Sequence, residues 1–409
     1  MEKKRLYVGL DIGTKYAMVS YCTADMTEPE TVSKVAGSGI YQIPQLLYKR
    51  EGLGQWFYGE EAAQMAQTFS GVLLDDLYER ARRREEIMLE GVSYSYIELF
   101  TLYIKKLLAL PAKLDVNVTV EQLVVTTEQL GRENMELFST VMEKLDITAG
   151  HFSVIDYAES FYYYAMSQKQ ELWLHNAVLF DYRGSNLKYL LMERNTATTP
   201  QVVTLAEDNL GSLIGRKDTA FYDVLTKTLG KCIISAVYLI GDGFDGEWMK
   251  ESLQYLCAGR RVFLGKNLYA KGACYAAAVL GGLREWNFIY MGENELKFNV
   301  SLKVQEADNL TFYSLISAGE NWYDAAGECE ILLCGTPEID FWIQKADCRE
   351  ARIDTLELTD LPDRPDKMTR LRITAKPLSD HQVKVQIKDL GFGEIYKSSE
   401  KTWEYKMEV

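Results

Sequence analysis

Asp11 and the residues after it combine a carboxylate with a short glycine-containing turn between two apolar strands. The turn contains Gly13, Thr14 and Lys15, and the whole segment spans residues 6–21. Gly13 would let backbone amides approach a phosphate group closely. Thr14 and Lys15 would add a hydroxyl and an ammonium donor, and Asp11 has the oxygen atoms that a hydrated Mg²⁺ prefers. The segment favours phosphate binding, but an ordinary β-hairpin with a glycine turn has the same pattern.

A second segment, residues 177–193, repeats this plan. An apolar strand leads to Asp181, the loop contains Gly184 and Ser185, and another apolar strand follows. Two such units in one chain indicate two related halves with a ligand between them. In that arrangement Asp11 and Asp181 are the candidate ligands of Mg²⁺, acting through bound water.

A third segment, residues 236–249, is a buried strand that runs into a glycine-rich turn and then into a helix predicted over residues 246–257. Such a turn can leave room for a nucleobase or ribose against the backbone, but a simple strand-to-helix turn has the same sequence. Across the three segments, the nucleotide-binding candidates are Asp11, Gly13, Thr14, Lys15, Gly184, Ser185, Gly241, Asp242 and Gly243.

The composition restricts the classes of function. The chain has 409 residues and a formal net charge of −14 at pH 7, which argues against a general binder of nucleic acid or of anionic membranes. No apolar run has the length of a membrane span, and the charged start does not fit a secretory signal. The 7 cysteines include no CxxC pair, which predicts free thiols in a reducing cytoplasm. The 3 histidines form no metal-ligand cluster in the sequence.

The elements that would hold these turns change in character near residue 285. Before it, apolar strands alternate with helical patterns such as residues 129–145, which predicts an α/β region. After it, short segments of alternating apolar and polar residues are separated by turn clusters, which predicts an all-β module. We therefore expect one domain over residues 1–285 and a second over residues 286–409.

The order and spacing of the three turns resemble those of the actin-like ATPase superfamily and, within it, of DnaK-type heat-shock chaperones. The three segments are similar to the phosphate 1, phosphate 2 and adenosine motifs, and the resemblance extends over about residues 5–285. Residues 267–280 are similar to the second connecting helix, where Gly272 would allow close helix contact. The resemblance implies two ribonuclease-H-like lobes, lobe I over about residues 1–175 and a truncated lobe II over about residues 176–285.

The C-terminal module resembles the β-sandwich substrate-binding domain of these chaperones, most clearly in residues 328–344 and 371–389. The resemblance implies an α/β fold of the actin-like type followed by an all-β sandwich. It also implies a polypeptide or protein partner for residues 286–409, while the composition predicts neither a nucleic-acid nor a membrane partner. It leaves open whether the nucleotide-binding turns of residues 1–285 hold Mg-ATP, Mg-ADP or no cofactor.

Four departures from the chaperone pattern argue against efficient hydrolysis. The phosphate 2 loop is a run of glycines in those chaperones but reads YRGSN over residues 182–186 here, so side chains occupy space that phosphate oxygens need. Lys188 stands where the family has a further Asp, Tyr157 replaces a Glu that organises water and Mg²⁺, and residues 72–77 lack the expected catalytic Lys. The interval over residues 209–237 is too short for the subdomain that clamps the adenine.

These departures imply a divergent DnaK-like protein that is a pseudo-ATPase or weak nucleotide binder and that acts by binding polypeptide. Three alternatives remain: a slow Mg-ATP-dependent ATPase chaperone, an actin-like scaffold, and a sugar-type kinase on the same fold. A kinase needs a general base, for which Asp156 is the candidate at a strand end. If the chain is an enzyme, Asp11, Asp156 and Asp181 are its candidate catalytic residues.

Overall fold

The computed structural model describes residues 4–33, 39–114, 118–230, 232–307, 309–346, 348 and 350–408. Over these residues the chain is a mixed α/β protein. It divides into two compact units. The first unit contains residues 1–193 and 205–286, and the second contains residues 194–204 and 287–409.

The first half of the first unit contains a sheet built around an N-terminal hairpin. The strands of this half, which also form two small separate sheets (β6-β5-β7 and β8-β9), are β1 (Lys4–Ile12), β2 (Tyr16–Cys22), β3 (Glu30–Thr31), β4 (Ile43–Pro44), β5 (Leu47–Arg50), β6 (Trp56–Tyr58), β7 (Gly71–Leu74), β8 (Glu86–Leu89), β9 (Val92–Ser95), β10 (Val118–Thr127) and β11 (Phe152–Asp156). Its helices are α1 (Gly59–Thr68), α2 (Leu77–Arg82), α3 (Tyr96–Leu114), α4 (Arg132–Lys144) and α5 (Tyr157–Met166). The sheet order is β11-β10-β1-β2-β3, with β1 antiparallel to β2 and parallel to β10.

The second half of this unit repeats the arrangement. Its elements are β12 (Asn176–Arg183), β13 (Asn186–Asn195), β14 (Gln201–Gly211), α6 (Lys217–Leu229), β15 (Ile234–Ile240), α7 (Glu251–Leu256), β16 (Arg261–Gly265) and α8 (Leu268–Leu280). The strands follow the order β16-β15-β12-β13-β14, and β12 is antiparallel to β13 and parallel to β15. Each sheet thus consists of a hairpin with two parallel strands added beside its first strand.

Helix α8 lies directly against β1 and α5, because glycines remove the side chains at the contacts. A β-carbon on Gly9 would overlap the backbone of Cys274, and one on Gly272 would overlap the backbone of Ser160. The prediction that Gly272 allows close helix contact is therefore confirmed. The small residues of α8 form a buried surface, and the Ser160 hydroxyl donates a hydrogen bond to the Tyr269 carbonyl at 2.7 Å.

The helix predicted over residues 246–257 is wrong in its length. The chain after β15 makes a short 3₁₀ turn over residues 242–244, and α7 does not begin until Glu251. The reason is that Gly246 has a φ of +91°, which is a left-handed conformation that a helix cannot contain. The Trp248 indole then folds back and donates a hydrogen bond to the Gly243 carbonyl at 3.2 Å.

The second unit consists mainly of two antiparallel sheets. Its strands are β17 (Phe288–Tyr290), β18 (Phe298–Glu306), β19 (Asn309–Ile316), β20 (Gly327–Leu332), β21 (Glu338–Lys345), β22 (Ala351–Glu357), β23 (Arg370–Ser379), β24 (Gln382–Gly391) and β25 (Thr402–Glu408). The four-stranded sheets have the orders β19-β18-β21-β22 and β20-β23-β24-β25. Alternating side chains of both sheets, among them Phe298, Phe341, Ile373 and Val385, form one buried cluster.

A buried ion pair holds a loop of the second unit against β24. Arg364 and Asp389 are joined by two hydrogen bonds of 2.8 Å each, and both side chains are excluded from water. Asp389 also accepts from the backbone and hydroxyl groups of Ser399 and from the backbone of Gly391. Because each carboxylate oxygen has several donors, the cost of burying this charge is offset locally.

No helix among the described residues combines the length and the apolar character needed to cross a membrane.

Candidate functional site

Asp11 and Asp181 occupy equivalent positions in the two sheets of the first unit. Each lies in the first strand of its hairpin, within β1 or β12 rather than in the following loop. Asp11 is in register with Thr126 of β10, and Asp181 is in register with Ile240 of β15. Both side chains are buried, with exposed fractions of 2% and 5%. The two carboxylates predicted as Mg²⁺ ligands are therefore removed from bulk water.

Arg183 connects the two carboxylates. Its Nε donates a hydrogen bond to Asp181 Oδ1 at 3.0 Å, and its Nη1 donates to the Tyr157 hydroxyl at 3.4 Å. The Tyr157 hydroxyl in turn donates to Asp11 Oδ1 at 2.9 Å. A continuous chain of hydrogen bonds therefore runs from one carboxylate to the other, and its central group is a guanidinium cation from the protein.

Two tyrosines complete this network. The rings of Tyr157 and Tyr269 are stacked in parallel, with centroids 3.9 Å apart and planes 4° from one another. The Tyr269 hydroxyl donates to Asp181 Oδ2 at 2.9 Å. The Arg183 guanidinium carbon lies 4.8 Å from the centroid of the Tyr157 ring and 5.2 Å from that of Tyr269, within range of a cation–π interaction. Tyr157 is the first residue of α5 and Tyr269 is in the first turn of α8, so the close contact of these helices sets the stacking.

Burial is the main cause of the pKa shifts of the acidic groups in this network. Burial raises the pKa of Asp11 to about 6, even though Arg183 and the hydrogen bond from Tyr157 lower it. Burial also raises the pKa of Asp181, against the opposing effect of Arg183. Partial burial lowers the pKa of Arg183, but Asp181, Tyr157, Tyr269 and Asp11 together outweigh this effect, so the pKa of Arg183 is raised and the guanidinium stays charged. Burial raises the pKa of both tyrosines well above 10, so both remain hydroxyl donors.

A cavity of about 510 Å³ lies on one side of this network. Seven of the nine predicted nucleotide-binding residues line it: Asp11, Gly13, Thr14, Lys15, Gly184, Gly241 and Asp242. The other two, Ser185 and Gly243, do not. Gly243 packs against the ring of Tyr182, where a β-carbon would overlap the ring. The fold thus brings the three turns together around one space.

Inside this cavity, a backbone amide that a phosphate would use is already occupied. The Gly184 amide donates a hydrogen bond to Asp242 Oδ1 at 3.0 Å. The cavity also contains the ion pair of Lys266 and Asp245, at 2.8 Å. An incoming phosphate would have to compete with Asp242 for the amide and would meet its negative charge.

The remaining candidates serve structural roles. Asp156 is the N-cap of α5, and its carboxylate accepts a hydrogen bond from the Glu159 amide at 2.7 Å. It lines neither this cavity nor a second one beside Asn134, which places it badly for a general base. Lys188, which stands where the chaperones have an Asp, forms an ion pair with Glu128 at 2.7 Å.

Among the residues with described positions, no group of three His, Cys, Asp or Glu side chains is placed to hold a metal ion. Asp11 and Asp181 form no such group because Arg183, Tyr157 and Tyr269 provide their contacts.

Sequence reasoning missed two members of the network. Arg183 was recognised as a side chain that fills the phosphate 2 loop, but not as a partner of the predicted metal ligands. A usable signal was present, because an arginine two residues after a buried aspartate on a strand lies on the same face of that strand. Tyr269 gave no signal, since its contact with Asp181 depends on how α8 packs in three dimensions.

No curated protein matches this chain. Residues 295–409 match the family described as "Domain of unknown function (DUF8552)". Residues 28–293, more than half of the chain, match the family described as "Family of unknown function (DUF5716) C-terminal". The chain therefore belongs to the DUF5716 C-terminal family.

Proposed function

We propose that the chain is a divergent DnaK-like protein of the actin-like ATPase superfamily, that it does not hydrolyse ATP, and that it acts by binding polypeptide. The observation that carries this proposal is the Arg183 guanidinium, which connects the two buried carboxylates, Asp11 and Asp181. The chain has the turns of a nucleotide-binding site, but a cation of the protein has taken the electrostatic role of a metal ion.

The fold part of the proposal is supported by the repeated sheet order of the first unit. Both sheets have a hairpin followed by two parallel strands, as expected for two ribonuclease-H-like lobes. Helices α5 and α8, which correspond to the two connecting helices of the chaperones, pack together at Ser160 and Gly272. In the second unit, the common core of two antiparallel sheets supports a β-sandwich of the substrate-binding type.

The charged groups around Asp11 and Asp181 support the proposed absence of ATP hydrolysis. Phosphoryl transfer depends on cations that neutralise the phosphate oxygens and on a group that orients the attacking water. Asp11 and Asp181 are both shielded from water and already bonded, so binding Mg²⁺ would require displacing Arg183. Tyr157, at the position of the family's water-orienting Glu, donates its hydrogen bond to Asp11 instead. The proposed resting state therefore contains neither Mg-ATP nor Mg-ADP.

The kinase alternative has less support, because the carboxylate of its candidate base, Asp156, caps α5. A cytoplasmic location is part of the proposal and rests on the free thiols of the cysteines, which suit a reducing compartment.

The polypeptide site proposed here is the outer face of the β19-β18-β21-β22 sheet. Leu310 and Phe312 on β19 have exposed fractions of 69% and 56%, and Ile353 on β22 has an exposed fraction of 46%. Trp342 on β21 lies between them, with its ring 5.2 Å from that of Phe312. Since β19 is the end strand of this sheet, an extended peptide can add to its edge while its side chains contact the apolar face.

A change of charge on this face tests the proposal. We expect Ile353→Glu to weaken binding of a dye-labelled, leucine-rich peptide of about seven residues flanked by lysines by at least tenfold, because it buries a charge under the peptide. Fluorescence anisotropy with the full chain measures the affinity. Ile395→Glu is the matched control: Ile395 has an exposed fraction of 85% and lies in the turn after β24, outside this face.

The control should bind the peptide as the unchanged chain does, and Mg-ATP should change the affinity by less than tenfold. Equal binding by both variants, or no binding by the unchanged chain, would contradict the peptide site. A larger effect of Mg-ATP would instead support the switching chaperone.

A further inference from the structure

A second cavity of about 470 Å³ lies in the first unit, on the other side of Tyr157 and Arg183. Asp181 of the hydrogen-bond network lines it as well, but the proposed function assigns no ligand to it. Its walls come from both halves of the unit: Arg82 from α2 and Asn134 from α4 on one side, and Asn186 and Lys188 from β13 on the other. Its volume is within the range of small-molecule sites in proteins. A ligand here would therefore contact both halves at once.

Two polar atoms behind the wall of this cavity have no hydrogen-bond partner. Asn134 is 7% exposed, and its Nδ2 donates to the Gln129 carbonyl at 2.9 Å, but its Oδ1 accepts nothing. Nε of Arg82 is likewise buried and unpaired. Leaving a buried donor or acceptor unpaired destabilises the folded state, because the group has given up its hydrogen bonds to water. Ligand hydroxyl groups can bond to both atoms, because a hydroxyl can donate to the unpaired acceptor and can accept from the unpaired donor.

The charges of the cavity argue against an anionic ligand. Each of the three cations that line it already has a carboxylate partner: Arg82 pairs with Glu79 at 3.1 Å, Lys188 with Glu128 at 2.7 Å, and Arg183 with Asp181 at 3.0 Å. Further carboxylates lie behind two of them, Glu133 at 3.9 Å from Arg82 and Glu207 at 3.8 Å from Lys188. A phosphate or carboxylate ligand would have to break an ion pair and would face this surplus of negative charge.

The uncharged lining suits a hydroxylated molecule. The Tyr78 and Thr127 hydroxyls, 3.2 Å apart, and the Asn186 side chain add polar groups that can donate or accept. We propose that this cavity binds a small, uncharged polyhydroxylated molecule, with one of its hydroxyls donating to Asn134 Oδ1 and another accepting from Arg82 Nε. Both atoms are buried behind the lining in the unliganded chain, so the proposed binding includes a reorientation of these two side chains.

The test is isothermal titration of the full chain with three neutral probes, D-glucose, D-ribose and myo-inositol, and one charged probe, D-glucose 6-phosphate. We expect at least one neutral probe to bind with a saturable isotherm, and glucose 6-phosphate to bind at least tenfold more weakly than glucose. Asn134→Ala and Arg82→Lys should each weaken the neutral probe by at least tenfold. Arg82→Lys keeps the charge that pairs with Glu79, so it remains informative if Asn134→Ala fails to fold. Asn209→Ala, at an exposed position outside the cavity, should bind normally.

Three results would overturn the assignment. The first is the absence of a saturable isotherm with every one of the neutral probes. The second is an affinity for glucose 6-phosphate that is within tenfold of the affinity for glucose, or higher than it. The third is a neutral probe whose affinity is unchanged in both variants.

Discussion

Replacing Gly272 by Ala is expected to lower the free energy of unfolding of the first unit by about 3 kcal/mol, although alanine is the better helix former. The added β-carbon would overlap the backbone carbonyl of Ser160 and lie 2.5 Å from its hydroxyl oxygen. The intrinsic helical preference of alanine gains only about 1 kcal/mol. The overlap is with backbone, which cannot move away as a flexible side chain can, so α5 and α8 must separate. Urea unfolding followed by circular dichroism measures the change.

Gly54→Ala provides the control for this change. A β-carbon on Gly54 would meet no atom within 4 Å, and its backbone is not left-handed. This variant should unfold within about 0.5 kcal/mol of the unchanged chain. Since the Gly272 contact also fixes the helix that carries Tyr269, the Gly272→Ala variant should show a weakened network at Asp181. An unfolding free energy equal to that of the control would mean that the two helices do not touch as described.

Asp11→Asn is expected to stabilise the chain increasingly as the pH rises. The pKa of Asp11 is raised from 3.8 to about 6 in the folded chain, so the folded state holds its proton more tightly than the unfolded state. Stability is therefore highest at low pH with respect to this group and is lost as the pH rises through about 6. Asparagine keeps the acceptor for the Tyr157 hydroxyl but cannot ionise. Between about pH 4 and pH 7, the difference in unfolding free energy between variant and unchanged chain should grow by about 2 kcal/mol in favour of the variant.

Asp218→Asn is the matched control with the opposite shift. Hydrogen bonds from Ser252 and from backbone amides lower the pKa of Asp218 to about 2, so its stabilising effect is lost only as the pH falls below the unfolded value of 3.8. Its difference from the unchanged chain should therefore be nearly constant over the same pH range. If the Asp11→Asn difference is just as constant, Asp11 is not held in the buried network that we describe.

The sequence was sufficient to predict what depends on local pattern. The strands that end near Asp11 and Asp181 are apolar runs with a glycine turn, so composition and periodicity within a few residues are enough to find them. The close contact at Gly272 was predicted from the resemblance of residues 267–280 to the second connecting helix of the chaperones.

The sequence did not predict what depends on a single side-chain direction or on packing between distant elements. Residues 246–257 have helical composition, but Gly246 has a left-handed conformation and α7 begins only at Glu251. Tyr269 and Asp181 are 88 positions apart and meet only because α8 packs against α5. Arg183 was interpreted as an obstacle to phosphate, whereas in the structure its guanidinium donates hydrogen bonds to Asp181 and to Tyr157.

Titration of the full chain with Mg-ATP by isothermal calorimetry, alongside the Arg183→Gly variant, is the most direct test of the proposal that Arg183 replaces the metal ion. We expect no saturable binding to the unchanged chain up to about 1 mM Mg-ATP, which corresponds to less than about 4 kcal/mol of binding free energy. Arg183→Gly should bind Mg-ATP more tightly than the unchanged chain, because its two carboxylates no longer have a guanidinium partner and can hold the Mg²⁺ of the nucleotide. Saturable binding of Mg-ATP to the unchanged chain, abolished by Asp11→Asn and not improved by Arg183→Gly, would contradict the proposal.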